Sequence, residues 1–288
     1  FTLQRAIDAA PTFSKRPITI YVRSGVYKEK ITVPGNRTNI HIIGEDVDKV
    51  VFTYDDYASK KNEFGDNIGT SGSASFYVYG DGFKAENVTF ENSAGPVGQA
   101  VALFVASDKS VFKNCKMKGF QDTLYTYGEG TRQYYENCYI EGSTDFISGK
   151  GPAWFEECTR HSKQNSYITA AATPEHIAYG YVFHDCRLTA DEGVDRVYLG
   201  RPWRPYAAVL FTHCDMGSHI RPEGWHNWGK ASNEETARYC EYKNKGAGAD
   251  TEGRVTWSHQ LSRKEASRYA IEDVLGGNDG WNPQKGTK

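Results

Sequence analysis

One phrase recurs along this chain at intervals that only a stacked fold can use. Cys115-Lys-Met-Lys-Gly-Phe-Gln-Asp122-Thr-Leu and Cys138-Tyr-Ile-Glu-Gly-Ser-Thr-Asp145-Phe-Ile share the pattern Cys, three residues, Gly, two residues, Asp. The two cysteines and the two aspartates are each 23 positions apart. A shorter phrase precedes the cysteines in Val111-Phe-Lys-Asn-Cys115, Tyr134-Tyr-Glu-Asn-Cys138, Trp154-Phe-Glu-Glu-Cys158, Val182-Phe-His-Asp-Cys186 and Leu210-Phe-Thr-His-Cys214, with steps of 23, 20, 28 and 28 residues. In each, an aromatic residue stands three positions before the Cys. Aromatic and β-branched runs broken by Gly, Asn and Asp predict short strands. Their spacing predicts a solenoid with surface loops of unequal length.

A parallel β-helix fits best, which makes the chain all-β. Its coils stack about 4.8 Å apart, and equivalent positions form ladders along the axis. The recurrent aromatic and Cys positions predict inward rungs, with Cys acting as a small apolar residue. Ile18-Thr-Ile-Tyr-Val22, Ile40-His-Ile-Ile43 and Phe83 to Phe90 fit as earlier strands. Two short helices are expected to cap the ends. Thr2 to Ala10 places Leu3, Ala6, Ile7 and Ala10 on one face before Pro11, and Ser262-Arg-Lys-Glu265 is a capping box stopped by Gly276-Gly277. No linker interrupts the chain, so residues 1–288 read as one domain.

The net charge of −2 argues against a polyanion binder, whether nucleic acid or anionic membrane. The longest apolar run, Ala100 to Ala106, is too short to span a bilayer. No signal peptide is visible, as in a mature or trimmed chain. Six cysteines form no C-x-x-C pair and no H-E-x-x-H occurs, so neither a zinc site nor any other metal or cofactor is expected. A Cys138–Cys158 disulfide one coil apart is within geometric reach.

Asp122 and Asp145 fall at one repeat position on successive coils. Two carboxyls that close cannot both ionise easily, so one is expected to titrate high as a general acid while the other stays a nucleophile or base. Two unrelated turn aspartates are the plain alternative, since Gly-x-x-Asp is common turn chemistry. Gln99 and Gln121 offer amide donors for an oxyanion. Leu199-Gly-Arg-Pro-Trp203 offers Arg201 as a carboxylate partner and Trp203 as a floor for a sugar ring. No G-x-S-x-G elbow occurs, which leaves the aspartates as nucleophile candidates.

With these residues in view the chain resembles the pectin methylesterase (pectinesterase) family of carbohydrate esterases. The resemblance rests on Gly25-Val-Tyr-Lys-Glu29, Gln99-Ala-Val-Ala-Leu103, Gly119-Phe-Gln-Asp-Thr-Leu-Tyr125, Asp145-Phe-Ile-Ser-Gly149 and Leu199-Gly-Arg-Pro-Trp203, in that order. Gly224-Trp-His-Asn-Trp228 and Glu241 to Ala249 extend it over nearly the whole chain. It implies a right-handed parallel β-helix with an open cleft, acting on methyl-esterified galacturonan (pectin) without a metal. It implies Asp145 as nucleophile, Asp122 as acid and then base, Gln121 and Gln99 as the oxyanion pair, and Arg201 holding Asp145 ionised. It also implies Trp203, Trp228, Phe104 and Tyr125 as groove residues. Arg201 is expected to lower the pKa of Asp145. Ser148 departs from the family's usual Asp-Phe-Ile-Phe-Gly, which points to altered substrate preference or a higher Michaelis constant rather than lost chemistry. The resemblance also implies a secreted or periplasmic enzyme, and relatives that can carry a disulfide at Cys138 and Cys158 support export. A monomer is the default expectation.

The rival readings are a β-helix glycoside hydrolase on galacturonan, a non-catalytic pectin-binding relative and a lyase. A retaining hydrolase needs carboxyls about 5 Å apart, which adjacent coils can supply. Donors aimed at an oxyanion suit acyl transfer better than an oxocarbenium ion. A lyase needs a dense acidic calcium loop, which the sequence lacks.

Overall fold

The computed structural model describes residues 2–285. Three parallel sheets of ten, eight and seven strands run along one axis, and over most of the chain neighbouring strands within a sheet are three apart in sequence. Each coil therefore gives one strand to each sheet. One coil consists of Ser110–Lys113, Lys116–Lys118 and Leu124–Thr126. The next consists of Gln133–Glu136, Tyr139–Gly142 and Ile147–Gly149. They stack in register, with Phe112 against Tyr135, Met117 against Ile140 and Leu124 against Ile147. The fold is a parallel β-helix.

The repeat's aromatic rungs are the spine of its interior. Phe112, Tyr135, Phe155, Phe183 and Phe211 stack ring on ring, with centroid spacings of 4.9, 4.7, 4.6 and 4.4 Å. Aromatic pairs of this kind add about 1 kcal/mol each beyond their burial. Beside them runs the Cys ladder. Each thiol points at a main-chain carbonyl of the preceding coil: Cys138 at Phe112, Cys158 at Tyr135 and Cys186 at Phe155, all at 3.4 Å. Asn244 ends the ladder by accepting from the Cys214 N–H at 2.9 Å and donating to the Phe211 carbonyl at 3.1 Å.

All six cysteines are free and buried, so the Cys138–Cys158 disulfide is not formed. The two thiols point instead at main-chain carbonyls of the coils before them.

The residue before each ladder Cys turns the corner from the ten-stranded to the eight-stranded sheet. Asn114, Asn137, Glu157, Asp185 and His213 all adopt left-handed backbone, with φ of 51, 49, 50, 49 and 56°. Short polar side chains tolerate that region best. Asn137 donates to Asn114 at 2.7 Å, which ties two corners together.

The N-terminal helix, Leu3–Ala9, is capped by Thr2 and buries Leu3 and Ile7 at the end of the core. The capping box at Ser262 is present, but the segment forms two short helices, Arg263–Ala266 and Ile271–Leu275. They do not cover the end. Ile271, Val274 and Leu275 pack on the outer face of the ten-stranded sheet, over the apolar column Val111, Tyr134, Trp154, Val182 and Leu210. That column would otherwise face water, which is why the helices lie on the flank. The far end is covered instead by residues 249–257, where Ala249, Val255 and Trp257 pack on the core and Arg254 pairs with buried Glu241 at 2.8 Å. Among the described residues no helix is long and apolar enough to cross a membrane.

Candidate active site

Both copies of Gly-x-x-Asp make the same corner, from the eight-stranded to the seven-stranded sheet. The chain folds back so tightly that a Cβ on Gly119 would lie 2.7 Å from Thr123 Oγ1, and one on Gly142 would lie 2.2 Å from the Cβ of Phe146. Asp122 and Asp145 follow in left-handed backbone, with φ of 61 and 50°. Non-glycine residues there are uncommon and worth a functional question. The Asp122 N–H donates to the Thr144 carbonyl at 3.1 Å and the Asp145 N–H to the Tyr167 carbonyl at 2.8 Å. The aspartates are therefore adjacent rungs, and the turn is fixed by the ladder.

Arg201 reaches Asp145 with two parallel hydrogen bonds, Nε to Oδ1 at 3.0 Å and Nη2 to Oδ2 at 2.7 Å. The Arg201 N–H donates to the Thr169 carbonyl at 3.0 Å, which seats the residue at the end of the strand Tyr198–Gly200. Its guanidinium also meets two aromatic rings, Trp228 at 3.7 Å and Tyr167 at 4.0 Å from their centroids. The fork is thus held by rings as well as by the carboxylate.

Burial pushes both carboxyls upward. Asp122 is raised well above the usual carboxylate range, first by burial and then by the charge on Asp145, with Arg201 opposing. Asp145 is also raised by burial, against the hydrogen bonds and charge of Arg201. This corrects the expectation of a net lowering: Arg201 pulls Asp145 down but does not cancel the loss of water. The order within the pair is kept. Asp122 is the carboxyl pushed more strongly toward its protonated form, and Asp145 is the one whose bidentate partner favours the ionised form.

These groups line a cleft of about 510 Å³ together with Gln99, Gln121, Tyr125, Ser148, Trp203 and Trp228. The main chains of Gln99 and Gln121 pair on neighbouring coils, which sets the two residues side by side. Phe104 is placed differently from the expectation. It is 2% exposed and lies beneath Tyr125, Tyr127 and Tyr79 rather than on the cleft wall. Its strand Leu103–Val105 pairs directly with Leu124–Thr126, so Tyr125 stands beside it while Tyr79 and Tyr127 pack against it.

Two contributors escaped the sequence reading. Tyr167 is the rung after Asp145, but its offset of 22 residues matches neither the 23-residue step between the aspartates nor the 20-residue step between Cys138 and Cys158, so the period alone does not reach it. The other is the wall formed by Ile68, Thr70 and Ser71. Asp56, held by Lys30 and Lys60 at 2.6 Å each, anchors that segment, and Lys30 also donates to the Gly72 carbonyl at 2.7 Å. Those contacts span up to 42 residues and leave no local signal.

The profile of the pectinesterase family matches residues 1–278. The chain belongs to the pectinesterase family. Pectinesterase 31 of Arabidopsis thaliana is 39% identical over 274 residues, covering 93% of this chain and 86% of that protein. The solved structure of a pectin methylesterase from carrot superposes with a TM-score of 0.87 at 34% identity, covering 96% of this chain and 89% of the other. A pectin methylesterase solved in complex with a hexasaccharide gives a TM-score of 0.85 at 29% identity, covering 98% of this chain and 94% of that one. The chain is accordingly an enzyme, a carboxylic ester hydrolase.

Proposed function

We propose that this pectin-demethylating esterase works through an acyl-enzyme on Asp145. The observation that supports it most is the bidentate Arg201–Asp145 pair beside a second carboxyl, Asp122, whose pKa burial pushes upward. Asp145 attacks the methyl ester carbonyl, and the electron pair moves to the carbonyl oxygen. Gln99 and Gln121 donate to that oxyanion. Collapse breaks the bond to the methoxy group, which takes the Asp122 proton and leaves as methanol. A mixed anhydride now joins Asp145 to the sugar. Water gives a proton to Asp122 and its oxygen to the acyl carbon, and Asp145 departs as carboxylate. Trp203 packs on the substrate, and Trp228 lines the cleft while holding Arg201. The substrate is a wall polysaccharide, so the enzyme works outside the cytoplasm, in a secreted or periplasmic setting, and as a monomer.

The test is methanol release from highly methylated pectin with EDTA present, following reducing and unsaturated chain ends in parallel. Methanol without new chain ends is the expected result. New chain ends without methanol would move the enzyme to the hydrolases or lyases.

Two smaller effects follow from the site. Arg201 lowers the pKa of Asp145, so Arg201→Gln lets that pKa rise further. The acidic limb of kcat/KM, where Asp145 gains a proton, is expected to move to higher pH, and the basic limb set by Asp122, which the Arg201 charge also pulls down, to move the same way by less. An acidic limb that stays put would remove Arg201 from this role. Ser148 sits in register between Tyr125 and Ala170 on the cleft side. Ser148→Phe adds a ring there, and KM for methylated oligogalacturonides is expected to fall several-fold with kcat little changed. Unchanged KM and unchanged substrate preference would show that position 148 does not touch the sugar.

A further inference from the structure

The aromatic surface does not stop where the cleft does. Tyr79 and Tyr127 are among the few large aromatic side chains left open to solvent, at 41% and 43% exposure. Each follows directly on a strand of the seven-stranded sheet, Phe76–Val78 and Leu124–Thr126. Val78, Val105 and Thr126 are register partners, so Tyr79, Ala106 and Tyr127 align across three coils. The two tyrosines thus stand two strand spacings apart, roughly 10 Å. Between them Ala106 leaves a low floor.

Neither ring is loose. Buried Phe104 meets Tyr127 at 4.9 Å and Tyr79 at 5.6 Å. Tyr77 stacks on Tyr79 at 6.2 Å with planes 7° apart. Tyr125 meets Tyr127 edge-on at 5.5 Å and Trp203 at 5.9 Å. The main chain is fixed too, with the Tyr127 N–H on the Val105 carbonyl at 2.8 Å and the Tyr79 N–H on the Val33 carbonyl at 2.9 Å. Rings therefore run in contact from Trp203 in the cleft through Tyr125 to Tyr127, and buried Phe104 joins Tyr127 to Tyr79.

We propose that Tyr79 and Tyr127 form an outlying sugar-binding subsite that carries the methylated galacturonan chain beyond the catalytic cleft. The proposal rests on the reading of this enzyme as a pectin esterase. A polymer whose ester lies at Asp145 must leave the cleft, and Tyr125, which lines the cleft, touches Tyr127. Rings already locked by neighbours lose little freedom when a pyranose stacks on them. Being uncharged, they suit the methylated, uncharged stretches of the chain. If the tyrosines only shielded Phe104, any apolar side chain would serve.

The test compares a Tyr79→Leu/Tyr127→Leu double variant with a Tyr79→Phe/Tyr127→Phe control, on long methylated pectin and on a fully methylated trigalacturonate short enough to stay in the cleft. The Leu variant keeps apolar cover over Phe104, and the Phe variant keeps the rings. For the Leu variant, KM on the polymer is expected to rise on the order of tenfold, with kcat unchanged and both constants unchanged on the trisaccharide. The Phe variant is expected to match the wild type. An unchanged polymer KM overturns the subsite. An equal rise on both substrates also overturns it, because the effect then comes from the cleft itself. No methanol from either substrate with the wild type would instead bring down the functional reading beneath it.

Discussion

Asp145→Asn is expected to lower methanol release from methylated pectin by about 10⁴-fold or more, the scale seen when a covalent nucleophile is removed. The substitution isolates the chemistry. Asn has the same shape and tolerates the left-handed backbone that Asp145 adopts, with φ of 50°. Its carbonyl oxygen still accepts from Arg201, but it cannot attack an ester. Arg201 does lose its charge partner. Breaking a buried pair outright costs about 3–5 kcal/mol, and the remaining hydrogen bond and the rings of Trp228 and Tyr167 soften the loss. A thermal melt followed by circular dichroism therefore accompanies the kinetics and separates unfolding from lost chemistry. A folded variant within tenfold of wild type would remove Asp145 from the nucleophile's role.

Asp122→Asn is expected to cost about 10²–10⁴-fold, the range for a lost general acid–base group. Its signature is the pH profile. Wild-type activity falls at high pH as Asp122 loses its proton, and burial places that loss well above the ordinary carboxylate range. Asn has no proton to lose there, so the basic limb disappears while the acidic limb of Asp145 remains. Leaving-group chemistry gives a second signature. Methoxide needs a proton to depart, but p-nitrophenolate does not. An oligogalacturonate p-nitrophenyl ester should acylate Asp145 at a rate near wild type and then stall, because the base for water is missing. A nitrophenolate burst of one per enzyme chain is expected. A retained basic limb would assign the general acid elsewhere.

Much of this was legible because a solenoid writes its geometry into sequence period. Equal offsets from Cys115 to Cys138 and from Asp122 to Asp145 placed two ladders before any coordinates did. The family motifs then supplied Arg201 and the two glutamines. Contacts between distant segments were not legible. The wall at Ile68 to Ser71 depends on Lys30 and Asp56, whose pairing has no periodic mark. The flank position of the last helices depends on an outer apolar column seen only once the strands are paired. The motif beside the site points Phe104 to the groove, whereas two tyrosines from other coils cover it. The sign of the Asp145 shift failed for a related reason. A partner such as Arg201 can be read from a motif, but the depth of burial that opposes it cannot.

The most direct test of the account is to trap the acyl-enzyme. Asp122→Asn is mixed with the oligogalacturonate p-nitrophenyl ester, quenched into hydroxylamine during the burst, digested and read by mass spectrometry. Hydroxylamine opens a mixed anhydride at either carbonyl, so a fraction of the peptide containing Asp145 should carry a hydroxamate at that residue, absent when the ester is omitted. A full burst with the Asp145 peptide unmodified, or with the hydroxamate on another residue, would contradict catalysis through Asp145.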